Sequence, residues 1–182
     1  NNNSSLISIG EKLFSNCPQL LEVEFDPNSP LKSLSNYCFG GCIKLIQIKI
    51  PCHVENIRYT CFKNCSSLRK VEILSSSITE IESYAFFNCT ALNEINLPNS
   101  VTKIGSAAFK NCKELKILDL PTNLVTVEYS AFEHCSSLKR LSFPPAVKSL
   151  GNWVLSGCSA LEEITISSSI DLASYYLNQN IK

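Results

Sequence analysis

Apolar residues recur along this chain at a fixed interval of about 23 positions. The clearest marker is a series of seven cysteines with successive gaps of 25, 23, 24, 23, 23 and 23 residues: Cys17, Cys42, Cys65, Cys89, Cys112, Cys135 and Cys158. A Phe stands three residues before each of the first six, and Leu155 takes that place in the seventh. A constant period of this size is typical of a solenoid, in which each repeat forms one coil of a stack.

Three further apolar columns keep phase with these cysteines. Leu stands three residues after each cysteine, Val, Ile or Leu stands six after, and Phe, Ile or Leu stands eight after. The last two columns are two residues apart, so they share one face of a short strand. An apolar pair such as Val101 and Ile104 closes each unit. Phe and Cys, three residues apart, suit one apolar face of a helical or 3₁₀ turn.

The pattern predicts an α/β repeat fold. We expect a solenoid of about seven 23-residue repeats, with short parallel strands on one face and helical or 3₁₀ turns on the other. Like residues of successive repeats should stack in ladders, because a single repeat cannot bury its apolar face alone. Residues 1–182 are expected to form a single domain, with repeats over about 6–166 and a partial repeat or C-terminal cap over 167–182.

The repeat stands nearly whole from Leu92 to Cys112, as LNEINLPNSVTKIGSAAFKNC. It resembles the BspA-type leucine-rich repeats, also called the Treponema pallidum class, over roughly residues 6–166. That family occurs on surface proteins of bacteria and of mucosal protists. The resemblance therefore implies a leucine-rich-repeat solenoid that adheres to host or matrix proteins, and it supplies no catalytic residues.

Composition and motifs argue against several other functions. Sixteen Lys and Arg balance sixteen Asp and Glu, and this zero net charge argues against nucleic acid as a partner. No run of 18 apolar residues is present, so we expect no membrane insertion of this segment. No Gly-rich phosphate loop, His-Glu-x-x-His or EF-hand pattern occurs. We therefore expect no enzyme activity, no cofactor and no metal.

Ten cysteines allow three interpretations. Buried free thiols are favoured, because free cysteine behaves as a small apolar residue and seven ladder members cannot all pair. Disulfides between neighbouring repeats are a second interpretation, with Cys38 and Cys61 as the first candidate pair. A zinc site at Cys38, Cys42, Cys61 and Cys65 is a third, although these thiols would lie in a core already filled by Phe.

The strand residues that face away from the core form one continuous surface, which we expect to be concave and to be the binding face. Glu24, Lys49 and Glu72 alternate in sign along it, so a solvated charge ladder without a ligand is the alternative. The part of this surface around Ile117, close to Lys116, Lys139 and Arg140, is the favoured binding site. The predicted binding residues are Lys49, Lys70, Glu72, Glu94, Ile117, Asp119, Arg140 and Ser142.

These observations favour a non-enzymatic protein-binding module. We expect a fragment of an adhesin-like protein, at the cell surface or secreted, that binds a host or extracellular-matrix protein. The alternative is a cytoplasmic leucine-rich-repeat scaffold or regulatory subunit for a protein partner, which free thiols favour because they persist in a reducing compartment. Uncapped repeat ends would also favour self-association.

Overall fold

The repeats form a stack of coils that closely follows the sequence period. The structure, a computed structural model, describes residues 6–166 and residue 170, so the C-terminal cap predicted over 167–182 lies outside the described residues except for Ile170. We number the coils 1 to 7, from the one containing Cys17 to the one containing Cys158. Each coil passes through a short strand, a turn segment that holds Phe and Cys, and then the strand region that carries the predicted binding face.

The strand predicted after each cysteine forms in six of the seven described coils, and we call this side the strand face. Neighbouring strands are parallel and in register, with Gln47 opposite Lys70 and Arg140 opposite Glu163. Coil 5 contributes only a single bridge, from Ile117 to Arg140. The strands form a four-stranded and a two-stranded sheet: β2 (Glu22–Val23), β4 (Gln47–Ile50), β6 (Lys70–Ile73) and β8 (Glu94–Ile95), then β11 (Arg140–Ser142) and β13 (Glu163–Thr165).

A second parallel sheet lies where the closing apolar pair of each repeat ends, and the sequence did not predict it. Each of its strands has only two residues, which is too short for an alternating pattern to reveal. In each strand the second residue, such as Ile104, is buried, while the first is more exposed. The seven strands are β1 (Ser8–Ile9), β3 (Ser33–Leu34), β5 (Asn56–Ile57), β7 (Glu80–Ile81), β9 (Lys103–Ile104), β10 (Thr126–Val127) and β12 (Ser149–Leu150).

The prediction of helical or 3₁₀ turns around Phe and Cys is wrong, since the described residues contain no helix. Coil 5 illustrates the reason, because Ala107 and Asn111 have φ angles of 53° and 64°. Residues five and one before the cysteine have positive φ in all seven coils. Left-handed residues cannot continue a right-handed helix. The segment instead makes separate tight turns, such as the one in which Cys112 N–H donates to Phe109 O at 3.1 Å.

These turn segments bond to one another across coils. Phe109 N–H donates to Ala131 O and Asn111 N–H donates to Glu133 O, both at 2.8 Å. Equivalent bonds join each pair of adjacent coils from 1 to 7. The turn segment therefore satisfies its backbone between coils, as a strand does, rather than within a helix.

A column of aromatic rings runs through the core. From Phe14 to Phe132, successive rings have centroids 5.3 to 5.6 Å apart and planes within 15° of parallel. The rings from Phe39 onwards are fully buried. The stacking of like residues predicted from the sequence period is therefore confirmed.

The ladder cysteines are free thiols with a specific hydrogen-bonding role. Each thiol in coils 2 to 7 donates to the Phe carbonyl of the preceding coil, as Cys112 Sγ does to Phe86 O at 3.3 Å. Burial raises the pKa of Cys42 to about 11 and that of Cys158 to about 12. The interpretation as buried thiols is confirmed for these six coils, whereas Cys17 in coil 1 is partly exposed.

Thiol reactivity should follow this burial. In the fully reduced native protein, we expect Ellman's reagent to titrate about two thiols rapidly, those of the partly exposed Cys17 and Cys52. The other cysteines are buried and should react only after denaturant is added. A time course of absorbance before and after denaturation measures this. Rapid reaction of all ten cysteines in the native protein would contradict the buried ladder.

Candidate functional site

The eight predicted binding residues all lie at least partly exposed on the strand face, in coils 2 to 6. The structure divides most of them between two open grooves. Lys49, Lys70 and Glu72 line the first groove, along coils 1 to 3. The second groove runs along coils 5 to 7 and is lined by Ile117, Asp119, Arg140 and Ser142. Glu94 belongs to neither lining and lies at the last strand of the four-stranded sheet.

Charges around the first groove are paired across strands. Lys49 Nζ lies 3.2 Å from Glu72 Oε1. Lys70 Nζ lies 2.5 Å from Glu94 Oε1, and this hydrogen bond raises the pKa of Lys70. Exposed pairs of this kind stabilise a sheet only slightly. In coils 2 to 4 the charges of the strand face therefore form cross-strand ion pairs.

The side chain of Asn96 marks the end of the four-stranded sheet. Its Oδ1 accepts from Ile73 N–H and its Nδ2 donates to Ile73 O, both at 2.9 Å. The sequence pattern does not predict this contact with coil 3. The available signal was weak, because Asn is merely a poor strand former. Beyond it, coil 5 forms no strand, and this interruption separates the two grooves.

The second groove combines an exposed apolar side chain with two charged side chains. Its volume is about 300 Å³. Ile117 is 49% exposed and lines the groove from coil 5. Asp119 and Arg140 each lack an ion-pair partner within 4.0 Å in the part of the chain that the structure describes. Both side chains are exposed, so their charged groups are accessible to a ligand.

Two lysines lie beside the second groove, each directly before a residue that lines it. Lys116 and Lys139 are exposed, neighbour Ile117 and Arg140 in sequence, and make no ion pair within residues 6–166. We call Lys116, Lys139 and Arg140 the basic strip. The Lys139 N–H donates to Lys116 O at 3.1 Å, so the strip crosses directly from coil 5 to coil 6. Its groups can recognise an anionic or polar surface, but they do not form an acid–base pair.

The described residues do not contain three His, Cys, Asp or Glu side chains grouped to hold a metal ion. Two of the thiols considered for zinc are engaged elsewhere, since Cys42 and Cys65 donate to Phe14 O and Phe39 O. Residues 6–166 also contain no helix that is long and apolar enough to cross a membrane.

The stacked coils, the apolar ladders and the exposed strand face define a leucine-rich-repeat solenoid. The profile of the BspA type leucine rich repeat region matches residues 1–77 and 72–182, with six copies of the repeat. The chain therefore belongs to the BspA-type leucine-rich-repeat family. Repeat solenoids of this kind are generally binding scaffolds.

Several solved structures share this fold. The leucine-rich repeat protein TpLRR of T. pallidum is 26% identical, with a TM-score of 0.72 over 97% of this chain and 72% of TpLRR. A leucine-rich cell surface protein of Faecalibacterium prausnitzii is 27% identical (TM-score 0.58), over 90% of this chain and 52% of that protein. The pneumococcal vaccine antigen PcpA is 25% identical (TM-score 0.63), over 94% of this chain and 51% of PcpA. No curated protein matches the chain.

Proposed function

We propose that this chain is a non-enzymatic protein-binding module of an adhesin-like surface protein, and that it binds a host or extracellular-matrix protein through the second groove. The observation that carries the proposal is the exposed Ile117 beside Asp119 and Arg140, which form no ion pair within residues 6–166. Support for the location comes from relatives described as a cell surface protein and a vaccine antigen. The chain spans about half the length of each of these two relatives, so the activity of the whole protein is part of the proposal.

The chemistry of the groove defines the partner surface that it would fit. Ile117 offers an apolar contact whose burial is favourable, because about half of its surface is in water before binding. Arg140 can donate two parallel hydrogen bonds to a carboxylate. Asp119 can accept from a basic or hydroxyl group on the other side of the same groove. The best-fitting partner therefore presents an apolar side chain with an acidic group beside it.

Binding to matrix proteins tests the proposal. Laminin, collagen and fibronectin, each immobilised, are titrated with the purified chain by surface plasmon resonance. We expect saturable binding to at least one of them. The double variant Ile117→Ser/Arg140→Glu should weaken it by about tenfold or more, because an exposed apolar contact and a charged contact are lost together.

A matched double variant provides the control. Tyr129→Ser/Lys148→Glu also removes one exposed apolar side chain and reverses one positive charge, but both residues lie outside the strand face. It should bind like the wild type. No saturable binding to any of the three proteins would contradict the adhesin proposal. Equal losses in both variants, or no loss in the first, would contradict the second groove as the site.

An intracellular scaffold is the second candidate function. The observation that favours it is the ladder of free thiols, because free thiols persist in a reducing compartment. Labelling intact cells that produce the natural protein with a membrane-impermeant biotin ester separates the two candidates. The surface proposal predicts biotinylation without lysis. Labelling that appears only after lysis would favour the scaffold.

A further inference from the structure

One pair of cysteines differs from the ladder thiols. Cys38 in coil 2 and Cys61 in coil 3 are both fully buried, and their sulfur atoms lie 3.4 Å apart. No other hydrogen bond between two thiols is found among the described residues, and the ladder thiols of coils 2 to 7 donate to Phe carbonyls instead. The same position holds Ala in coils 4 to 6: Ala85, Ala108 and Ala131. A small apolar residue therefore suffices there, and cysteine replaces it in two adjacent coils.

We propose that Cys38 and Cys61 are a disulfide-forming pair that covalently joins coils 2 and 3 when the chain folds in an oxidising environment. Their backbones are held in matching positions by the second sheet, where Leu34 pairs with Ile57 four residues before each cysteine. Adjacent parallel strands are about 4.8 Å apart. That spacing lies within the Cα separation of about 4.4 to 6.8 Å that disulfides require. To bond, the sulfur atoms must approach from 3.4 Å to about 2.05 Å.

The reaction is a thiol–disulfide exchange with a small disulfide such as oxidised glutathione. One thiolate attacks glutathione disulfide, which releases one glutathione thiolate and leaves a mixed disulfide. The second thiolate then displaces the second glutathione. The two cysteines lose two electrons and two protons, and one oxidised glutathione becomes two reduced molecules.

Burial determines when this exchange takes place. Desolvation raises the pKa of Cys61 well above its usual range, which removes the reactive thiolate from the folded core. Glutathione also cannot reach two side chains with no exposed surface. The bond therefore forms while coils 2 and 3 are still open, and it resists reductants once the coils have closed. The link closes a chain separation of 23 residues, which restricts the unfolded chain and stabilises the folded one.

Refolding the denatured, reduced chain in a mixture of oxidised and reduced glutathione tests the pairing. After free thiols are blocked with N-ethylmaleimide, we expect eight of the ten cysteines to be blocked and two to be linked. Trypsin cleaves after Arg58 and Lys63, which places Cys61 alone in its peptide. Trypsin also releases a peptide of residues 33–44, which contains both Cys38 and Cys42. Cleavage by chymotrypsin after Phe39 separates these two cysteines. Mass spectrometry then identifies the link.

Two alanine variants complete the test. Cys61→Ala introduces the residue that coils 4 to 6 carry at this position, and all nine of its remaining thiols should stay free. Cys17→Ala is the control outside the pair and should retain the link. The wild type should also show a higher Tm after oxidative than after reductive refolding, a difference absent in Cys61→Ala. Ten free thiols after oxidative refolding, or a link between other cysteines, would overturn the proposal.

Discussion

Replacing Phe109 by Ala is expected to lower the free energy of unfolding by about 3–5 kcal/mol. The ring is fully buried and stacks between Phe86 and Phe132, with centroids 5.3 and 5.6 Å away. Its removal opens a cavity that the neighbouring rings cannot fill, because each is fixed to its own coil. Urea denaturation followed by circular dichroism measures the loss. Since each coil contacts only its neighbours, the transition should also become less cooperative.

Phe14→Ala is the matched control for this ring column. Phe14 occupies the same position in coil 1 but is only partly buried, and the ring column gives it a single stacked neighbour, Phe39. Its loss should therefore cost clearly less than that of Phe109. Equal costs at the two positions would contradict the description of the rings as a continuous column.

Gly105→Ala is expected to destabilise the protein by about 1–3 kcal/mol, although it adds a single methyl group. A Cβ atom at this position would lie 2.6 Å from Ser83 N and 2.9 Å from Glu82 C, both in the backbone of coil 4. Backbone atoms cannot rotate away as a side chain would. Gly105 N–H also donates to Ile81 O at 2.8 Å, so coils 4 and 5 cannot separate without losing a hydrogen bond. Thermal unfolding monitored by circular dichroism measures the effect.

Gly10 occupies the equivalent position in coil 1 and supplies the control. A Cβ atom there meets nothing within 4 Å. Gly10→Ala should therefore leave Tm unchanged or raise it slightly, because Ala restricts the unfolded chain more than Gly does. If Gly105→Ala also left Tm unchanged, that result would contradict the close contact between the backbones of coils 4 and 5 at this point.

The ladders of the core could be predicted from the sequence because their signal is repeated seven times. A single Phe or Cys says little, but Phe three residues before Cys in six successive repeats requires that like residues occupy like places. Stacking then follows, because parallel coils of equal length bring equal positions into contact. The prediction of the ring column and of the thiol ladder, both confirmed, rests on that argument. The assignment to the BspA-type family rests on it as well.

The local conformation of each coil could not be predicted in the same way. A spacing of three residues between Phe and Cys fits a helical turn and also fits the non-helical turns that form. One signal was overlooked, because the residue before each ladder cysteine is always Asn, Gly or His, residue types that tolerate positive φ. Five residues before the cysteine the left-handed residues include Tyr84 and Trp153, where the sequence offers no such signal. There the inter-coil hydrogen bonds impose the conformation.

At the strand face, the sequence predicted which side chains are exposed but not how their charges combine. Alternating signs in one column correctly indicated the ion pair of Lys49 with Glu72, and the neighbouring column contains a second pair, Lys70 with Glu94. Neither the interruption at coil 5 nor the contact of the Asn96 side chain with Ile73 is encoded in the sequence period. The role of the second groove in binding remains a proposal.

Hydrogen exchange, measured by mass spectrometry with and without the matrix protein that the chain binds, tests the binding site most directly. Binding through the second groove predicts slower exchange of backbone amides in residues 116–120 and 139–143, with little change in the strands of the second sheet. Slower exchange confined to the second sheet or to the turn segments, with residues 116–120 and 139–143 unchanged, would contradict it.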